Sequence, residues 1–415
     1  MSLQSLRSLA AGIALAALAS PGHAQTVKLA YIDPLSGAFA NVGELGLKQF
    51  QFSADVVNRG KLAGGVKLEV VGFDNKTSPQ ETLNVLQKVV DSGIRYVIQG
   101  NGSSVALALN DAVQKHNERN PGKEILYINY AAVDPALTNE KCQFMHFRFD
   151  ANSDMKMEAL TTYLAADKSI KKVYLINQNY SFGQAVSRAA KEDLARKRPD
   201  IQIVGDDLHP LGQVKDFAPY AAKIKAAGAD TVITGNWGND MTLLVKAAKD
   251  AGLAVNFFTY YGGGLGTPTG MGESAIGRVK QITEWHANVP TKVTDRLAQQ
   301  FKKQTGFDFY YYRGHTAMLM LAEAMKRAKS ADPVAVARQL SGMKFKTDLG
   351  EVEMRAADHQ LIQPLYISTI EHVAAKGGPK EVKYDVENTG YGFKTDARIE
   401  AKVSAQPTSC NMKPL

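Results

Sequence analysis

Short apolar, β-branched runs alternate along this chain with longer segments whose apolar residues recur at helical spacing. The runs are Val27–Asp33, Val66–Phe73, Arg95–Gln99 and Ile125–Asn129, then Lys172–Asn177, Ile201–Asp206, Asp230–Thr234 and Val255–Tyr260. This alternation predicts an α/β fold with parallel strands covered on both faces. Leu47, Phe50, Ala54 and Val57 mark one sheet-facing helical stripe. Ser78-Pro79-Gln80-Glu81 predicts the start of the next helix, with a capping serine, a proline at the first helical position and a glutamate at the third.

One segment is echoed. GIRYVIQGNG at Gly93–Gly102 returns as GADTVITGNWG at Gly228–Gly238, each copy a strand ending in Gly-Asn before a new helical pattern. The echo predicts two similar lobes, and in open α/β sheets ligands collect at the carboxyl ends of the strands. The first lobe is expected from Gln25 to about Phe149, with an extended crossover at FRFDANSD, and the second to about Glu284, with another crossover over Gly277–Pro290. The helical patterns Thr291–Thr305 and Arg313–Ala328 should rejoin the first lobe, and the β-rich stretch Gly350–Ile399 the second. Several crossings make a hinge.

The strand ends supply the candidate chemistry. Gly102-Ser103-Ser104 opens a helix, where free backbone N–H groups and hydroxyls suit a carboxylate, although a serine there can also be a plain N-cap. Ala131-Ala132-Val133-Asp134 is the neighbouring loop. In the second lobe Tyr180 and Phe182 follow one strand, Trp237 follows the echoed strand and Tyr261 follows the next, which predicts an aromatic wall. The glycine-rich run Gly262–Gly272 would let backbone approach a ligand or form a mobile loop.

Composition narrows the class. Arg7, the apolar stretch Leu9–Ala19 and Gly22-His23-Ala24 read as an export signal over residues 1–24, implying a periplasmic product. The net charge of +8 is spread along helices, and no basic-aromatic stripe points to nucleic acid. With two cysteines in an oxidising compartment, Cys142 and Cys410 are expected to pair and pin the tail, residues 402–415. No metal-ligand spacing occurs, and no cofactor is expected. Gly100-Asn101-Gly102 lacks the third glycine of a dinucleotide fingerprint, since Val105 stands there, and neither a Walker lysine nor a Gly-x-Ser-x-Gly elbow is present. An enzyme is not expected.

The segments AYIDPLSGAFANVG, GNGSS, NYAAVDPALT, NYSFG and GNWGND together resemble type I periplasmic binding proteins, specifically the branched-chain amino-acid group of ABC-transporter receptors. The resemblance spans the mature chain and implies two Rossmann-like lobes joined by a three-crossover hinge. The strand and helix patterns divide the chain into residues 25–149 plus about 286–346, and 150–285 plus about 347–401. The resemblance implies a receptor that closes on a small solute and delivers it to an ABC permease in the inner membrane. By the same resemblance the carboxylate-binding loop falls on Ser103 and Ser104, a second anion loop on Ala131 to Val133, and aromatic contacts on Phe182 and Trp237. There are departures. Val42 and Val133 stand where amino-acid binders of the group place a tyrosine and a threonine, and Tyr261 aligns with the acidic residue that meets the ligand's ammonium. The ligand is therefore expected to be a hydrophobic amino acid, or an aromatic or other carboxylate lacking the amine; a soluble sensory module is the alternative role.

Overall fold

The computed structural model describes residues 25–413 apart from 292; the expected export signal lies outside the described residues. Among them, strands β1 (Thr26–Asp33), β2 (Lys67–Asp74), β3 (Tyr96–Gln99), β4 (Leu126–Asn129) and β5 (His146–Arg148) form a parallel sheet in the order β2-β1-β3-β4-β5. The second sheet contains β6 (Lys172–Gln178), β7 (Gln202–His209), β8 (Thr231–Thr234), β9 (Asn256–Thr259) and β10 (Val279–Thr283). A small antiparallel sheet follows, made of β11 (Lys344–Thr347), β12 (Gly350–Met354) and β13 (Leu361–Ile362). Finally β14 (Leu365–His372) and β15 (Tyr391–Ile399) add antiparallel strands to the second sheet, ordered β15-β14-β10-β9-β8-β6-β7.

Each main sheet is covered on both faces, as its continuous apolar strands require. Helices Ala40–Arg59 and Tyr312–Ala328 bury Phe50, Ala54, Val57, Met318 and Leu321 against one face of the first sheet. Pro79–Asp91 and Ser103–Arg119 bury Val85, Val89, Leu109 and Val113 against the other. Only the serine half of the expected capping box forms: Ser78 Oγ accepts from the Glu81 N–H at 3.3 Å, with Pro79 at the first position, while the Ser78 N–H donates to the Asn75 carbonyl at 2.8 Å and not to Glu81.

Three expectations about the crossings are corrected. Of the stretch FRFDANSD, Phe147 and Arg148 belong to the fifth strand of the first sheet, which leaves residues 149–152 to cross, and Asn152 caps helix Ser153–Leu164 by accepting from the Met155 N–H. Within Gly277–Pro290, Val279–Thr283 is a strand of the second sheet, so only the residues beyond Thr283 cross. The third boundary moves furthest. Val352, Met354 and Leu361 are buried in the first lobe's core, so residues 347–362 stay with that lobe and the chain crosses at about Gln363. An alternating β pattern says that one face is buried, not against which sheet.

The crossings are tied together. Gln363 Nε2 donates to the Phe149 carbonyl at 2.9 Å and Gln360 Nε2 to the Asp150 carbonyl at 2.8 Å. Cys142 and Cys410 form a disulfide across 268 residues of sequence, and Thr408 Oγ1 donates to the Thr138 carbonyl, so the tail is anchored on the first lobe.

Candidate functional site

Strands β3 and β4 of the first sheet and β6, β8 and β9 of the second end on a common cleft. Its cavity is walled by Val42, Gly100 to Ser103, Ala131, Val133, Tyr311 and Arg313 from the first lobe. Tyr180, Phe182, Trp237, Gly238, Tyr261, Gly264 and Leu265 close it from the second. Of the residues singled out from sequence, Gly102, Ser103, Ala131, Val133, Tyr180, Phe182, Trp237 and Tyr261 line this wall. Ser104 does not. A helix turns about 100° per residue, so the second serine swings away from the wall that the first one meets.

The first-lobe corner is held from beneath by Asp33. Its Oδ1 accepts from the Asn101 N–H at 2.9 Å and its Oδ2 from Tyr130 Oη at 2.8 Å. Burial pushes this carboxyl up to about 7, against the N–H groups of Asn101 and Gly100 and the Tyr130 hydroxyl, which favour the anion. The helix that follows has Gly102 at its N-cap, with no side-chain cap and no acidic residue in its first turn. Ser103 is no cap: its Oγ accepts from the Asp134 N–H at 3.3 Å, tying the two loops together.

The second lobe presents rings. Tyr180 and Gly238 stand at the N-caps of helices Ser181–Lys197 and Asn239–Asp250, and neither terminus has a side-chain cap. The Ser181 terminus has no acidic residue in its first turn; the Asn239 terminus carries Asp240, which accepts from Gln178 Nε2 and the Gly212 N–H. Trp237 Nε1 donates to Tyr180 Oη at 2.9 Å, which orients both rings. From the opposite lobe Phe39 packs on Trp237 with ring centroids 4.2 Å apart, bridging the lobes.

Sequence reasoning did not select Tyr311 or Arg313. The available signal was the aromatic run Phe309–Tyr312 opening a helical pattern, the same strand-end logic applied to the lobe's last helix. Arg313 is 4% exposed, donates through Nη1 to Glu284 at 3.0 Å and through Nε to the Tyr130 carbonyl, and lies 3.4 Å from Asp150. Burial opposes the Arg313 charge, but Asp150 and Glu284 hold the guanidinium firmly protonated. Asp150 is also 2.9 Å from Lys156 Nζ, whose ammonium faces the Tyr261 ring at 5.0 Å. The lining cation is thus already paired. No Asp or Glu side chain lines the cavity among the described residues.

Comparison with known proteins agrees with this architecture. Residues 26–379 match the profile of a family described as periplasmic binding protein. The chain is 31% identical over 419 residues to the Leu/Ile/Val-binding protein homolog 4 of Brucella abortus (strain 2308), covering 98% of each. It superposes with TM-score 0.84 and 30% identity on the closed conformation of the leucine-, isoleucine-, valine-, threonine- and alanine-binding protein of Brucella ovis, covering 94% of this chain and 100% of that one. At 21% identity and TM-score 0.77, it shares its fold with a solute binding protein of an ABC transporter from Rhodopseudomonas palustris BisB5, covering 91% and 98%.

Proposed function

The chain belongs to the periplasmic binding protein family, and we propose that it is the periplasmic receptor of an ABC importer for a hydrophobic carboxylate without a free amine. The observation that carries this reading is electrostatic. Two uncapped helix N-termini with no acidic residue in the first turn, at Ser103 and Ser181, start beside the residues that wall one cavity, and no carboxylate side chain lines it. Helix N-termini favour anions, each by about 0.3–1 kcal/mol at exposed sites and more when buried. An ammonium buried in the same cavity would face the Tyr261 ring and the paired Arg313, and an uncompensated buried charge is costly.

Binding would proceed by hinge closure. The Gly102–Ser103 corner holds the carboxylate in the first lobe, while Phe182, Trp237 and Tyr261 close over the apolar body. A ligand that touches both lobes favours the closed form by its differential affinity for it. The Rhodopseudomonas palustris protein is in complex with 3,4-dihydroxybenzoic acid, so this fold accommodates an aromatic acid. The names of the Brucella relatives favour a second reading, a branched-chain amino acid whose ammonium is met by groups other than a side-chain carboxylate.

A thermal-shift screen of the ligand-stripped protein separates the two. Ligand at about 100 times its dissociation constant adds ~2.7 kcal/mol to stability. Aromatic and arylalkyl carboxylates should raise the midpoint, and leucine, isoleucine and valine should not. A shift with the amino acids alone overturns the proposal.

A further inference from the structure

A second cavity abuts the first across Tyr261, Gly264, Tyr311 and Arg313. Like the first, it is walled from both lobes. Helix Val293–Thr305 and the loop Asp308–Tyr311 contribute Lys302 and Phe309, and the second sheet and its flanking loops contribute Gln281, Asp385 and Phe393.

The charges in this chamber are largely spoken for. Lys302 Nζ pairs with Asp308 at 2.9 Å and lies 4.0 Å from Asp385, and Arg313 pairs with Glu284. Lys383 is exposed at the edge. Two further polar groups on the wall have no hydrogen-bond partner among the described residues, the buried Trp285 Nε1 and the amide of Gln281. Gln281, on β10, is 5% exposed and lines the chamber, yet its amide makes no hydrogen bond with any described residue. Its Oε1 lies over the Gly263 backbone, in the space a Cβ there would need. A primary amide offers two donors and an acceptor, and that of Gln281 stands on the chamber wall.

We propose that this chamber is the distal half of the binding site, where Gln281 receives a neutral hydrogen-bonding group, a hydroxyl or an amide, on the far end of the solute. Neutrality follows from the pairing of the buried charges, because a charged end would have to compete with an existing ion pair. The rings of Tyr261 and Tyr311, shared by both chambers, would sandwich the aromatic body that joins the two ends. This rests on the reading of the first chamber as a carboxylate site. It narrows the solute to an elongated, bipartite acid.

The test is calorimetric titration of phenylpropanoate, phenylbutanoate and phenylpentanoate against their para-hydroxy counterparts. At one chain length or more the hydroxyl should tighten binding to the wild type by about tenfold. Gln281→Leu should reduce that ratio to within about twofold, with the parent acids as internal reference. If the parent acids bind and the hydroxyl adds nothing at any length, or if its gain survives in Gln281→Leu, this inference is wrong and the carboxylate reading stands. If no acid of the series binds, the carboxylate reading itself falls. If Gln281→Leu does not fold, Gln281→Met, which keeps the length of the side chain and lacks the amide, gives the same comparison.

Discussion

The two echoed corners, Gly100–Ser103 and Gly235–Gly238, are built alike and present different chemistry to the same cavity. In each a glycine follows the strand because an aromatic ring lies where a Cβ would go, Tyr130 in the first and Phe182 in the second. In each an acidic or amide side chain on a neighbouring strand accepts a corner N–H: Asp33 for Asn101, Asn177 for Gly235 at 2.7 Å. The difference comes two residues after the glycine. The first corner continues as Gly102-Ser103 and exposes backbone, and the second continues as Trp237 and exposes a ring. A repeated scaffold can therefore divide recognition of one ligand into a polar half and an apolar half.

The shared scaffold is the first place to break this comparison. Gly100→Val and Gly235→Val should each cost about 3 kcal/mol or more, since overpacking against a ring held by its neighbours has no cheap relief. Chemical denaturation would measure both. A loss at one corner only would mean that the other can relax, and that the two are not equivalent.

The functional difference is tested next. Trp237→Ala should weaken ligand binding by about 2 kcal/mol, or roughly 30-fold, because it removes a buried ring and frees Tyr180 and Phe39. Ser103→Ala should cost about 1 kcal/mol, since the backbone N–H groups that hold the anion survive the substitution. Calorimetry that ranks Ser103 above Trp237 would reverse the assignment of polar and apolar halves. Ser104→Ala should move affinity by less than about 0.5 kcal/mol, as expected for a side chain away from the wall.

The corners should also differ in pH dependence, because the first rests on a carboxylate and the second on an amide. Asp33 is shifted from 3.8 to about 7. A carboxyl raised in the folded state binds its proton more tightly there than in the unfolded chain, so its ionisation reduces stability as pH rises from about 4 to 7. Asp33→Asn, which copies the amide of the other corner, should remove this dependence. The wild type should then lose stability relative to the variant across that interval, by a few kcal/mol at about 1.4 kcal/mol per unit. Thermal unfolding of both proteins at several pH values would show parallel curves if Asp33 does not titrate there.

Much of this architecture was legible in the chain. The β-branched runs carry the strands, the Ser78 cap starts its helix, and the echo places two corners at strand ends. These are local patterns whose cause lies within a few residues: hydrogen-bonding periodicity, capping and the steric freedom of glycine. Hence Gly102, Ser103, Trp237 and Tyr261 could be picked out before any geometry was known.

The rest depends on contacts between distant segments. Tyr311 and Arg313 reach the cleft because a helix near residue 312 returns to the first sheet, and Arg313 is buried because Asp150 and Glu284 come to it from two separate crossings. The small sheet at residues 344–362 has the same alternation whichever lobe it joins. The unpartnered amide of Gln281 looks like any strand residue until the opposing lobe encloses it. Sequence determined the elements and the ends at which chemistry could sit, because those follow from short-range backbone physics. Tertiary structure decided which ends face one another and which polar groups are left without partners, because burial and pairing are properties of the packed whole.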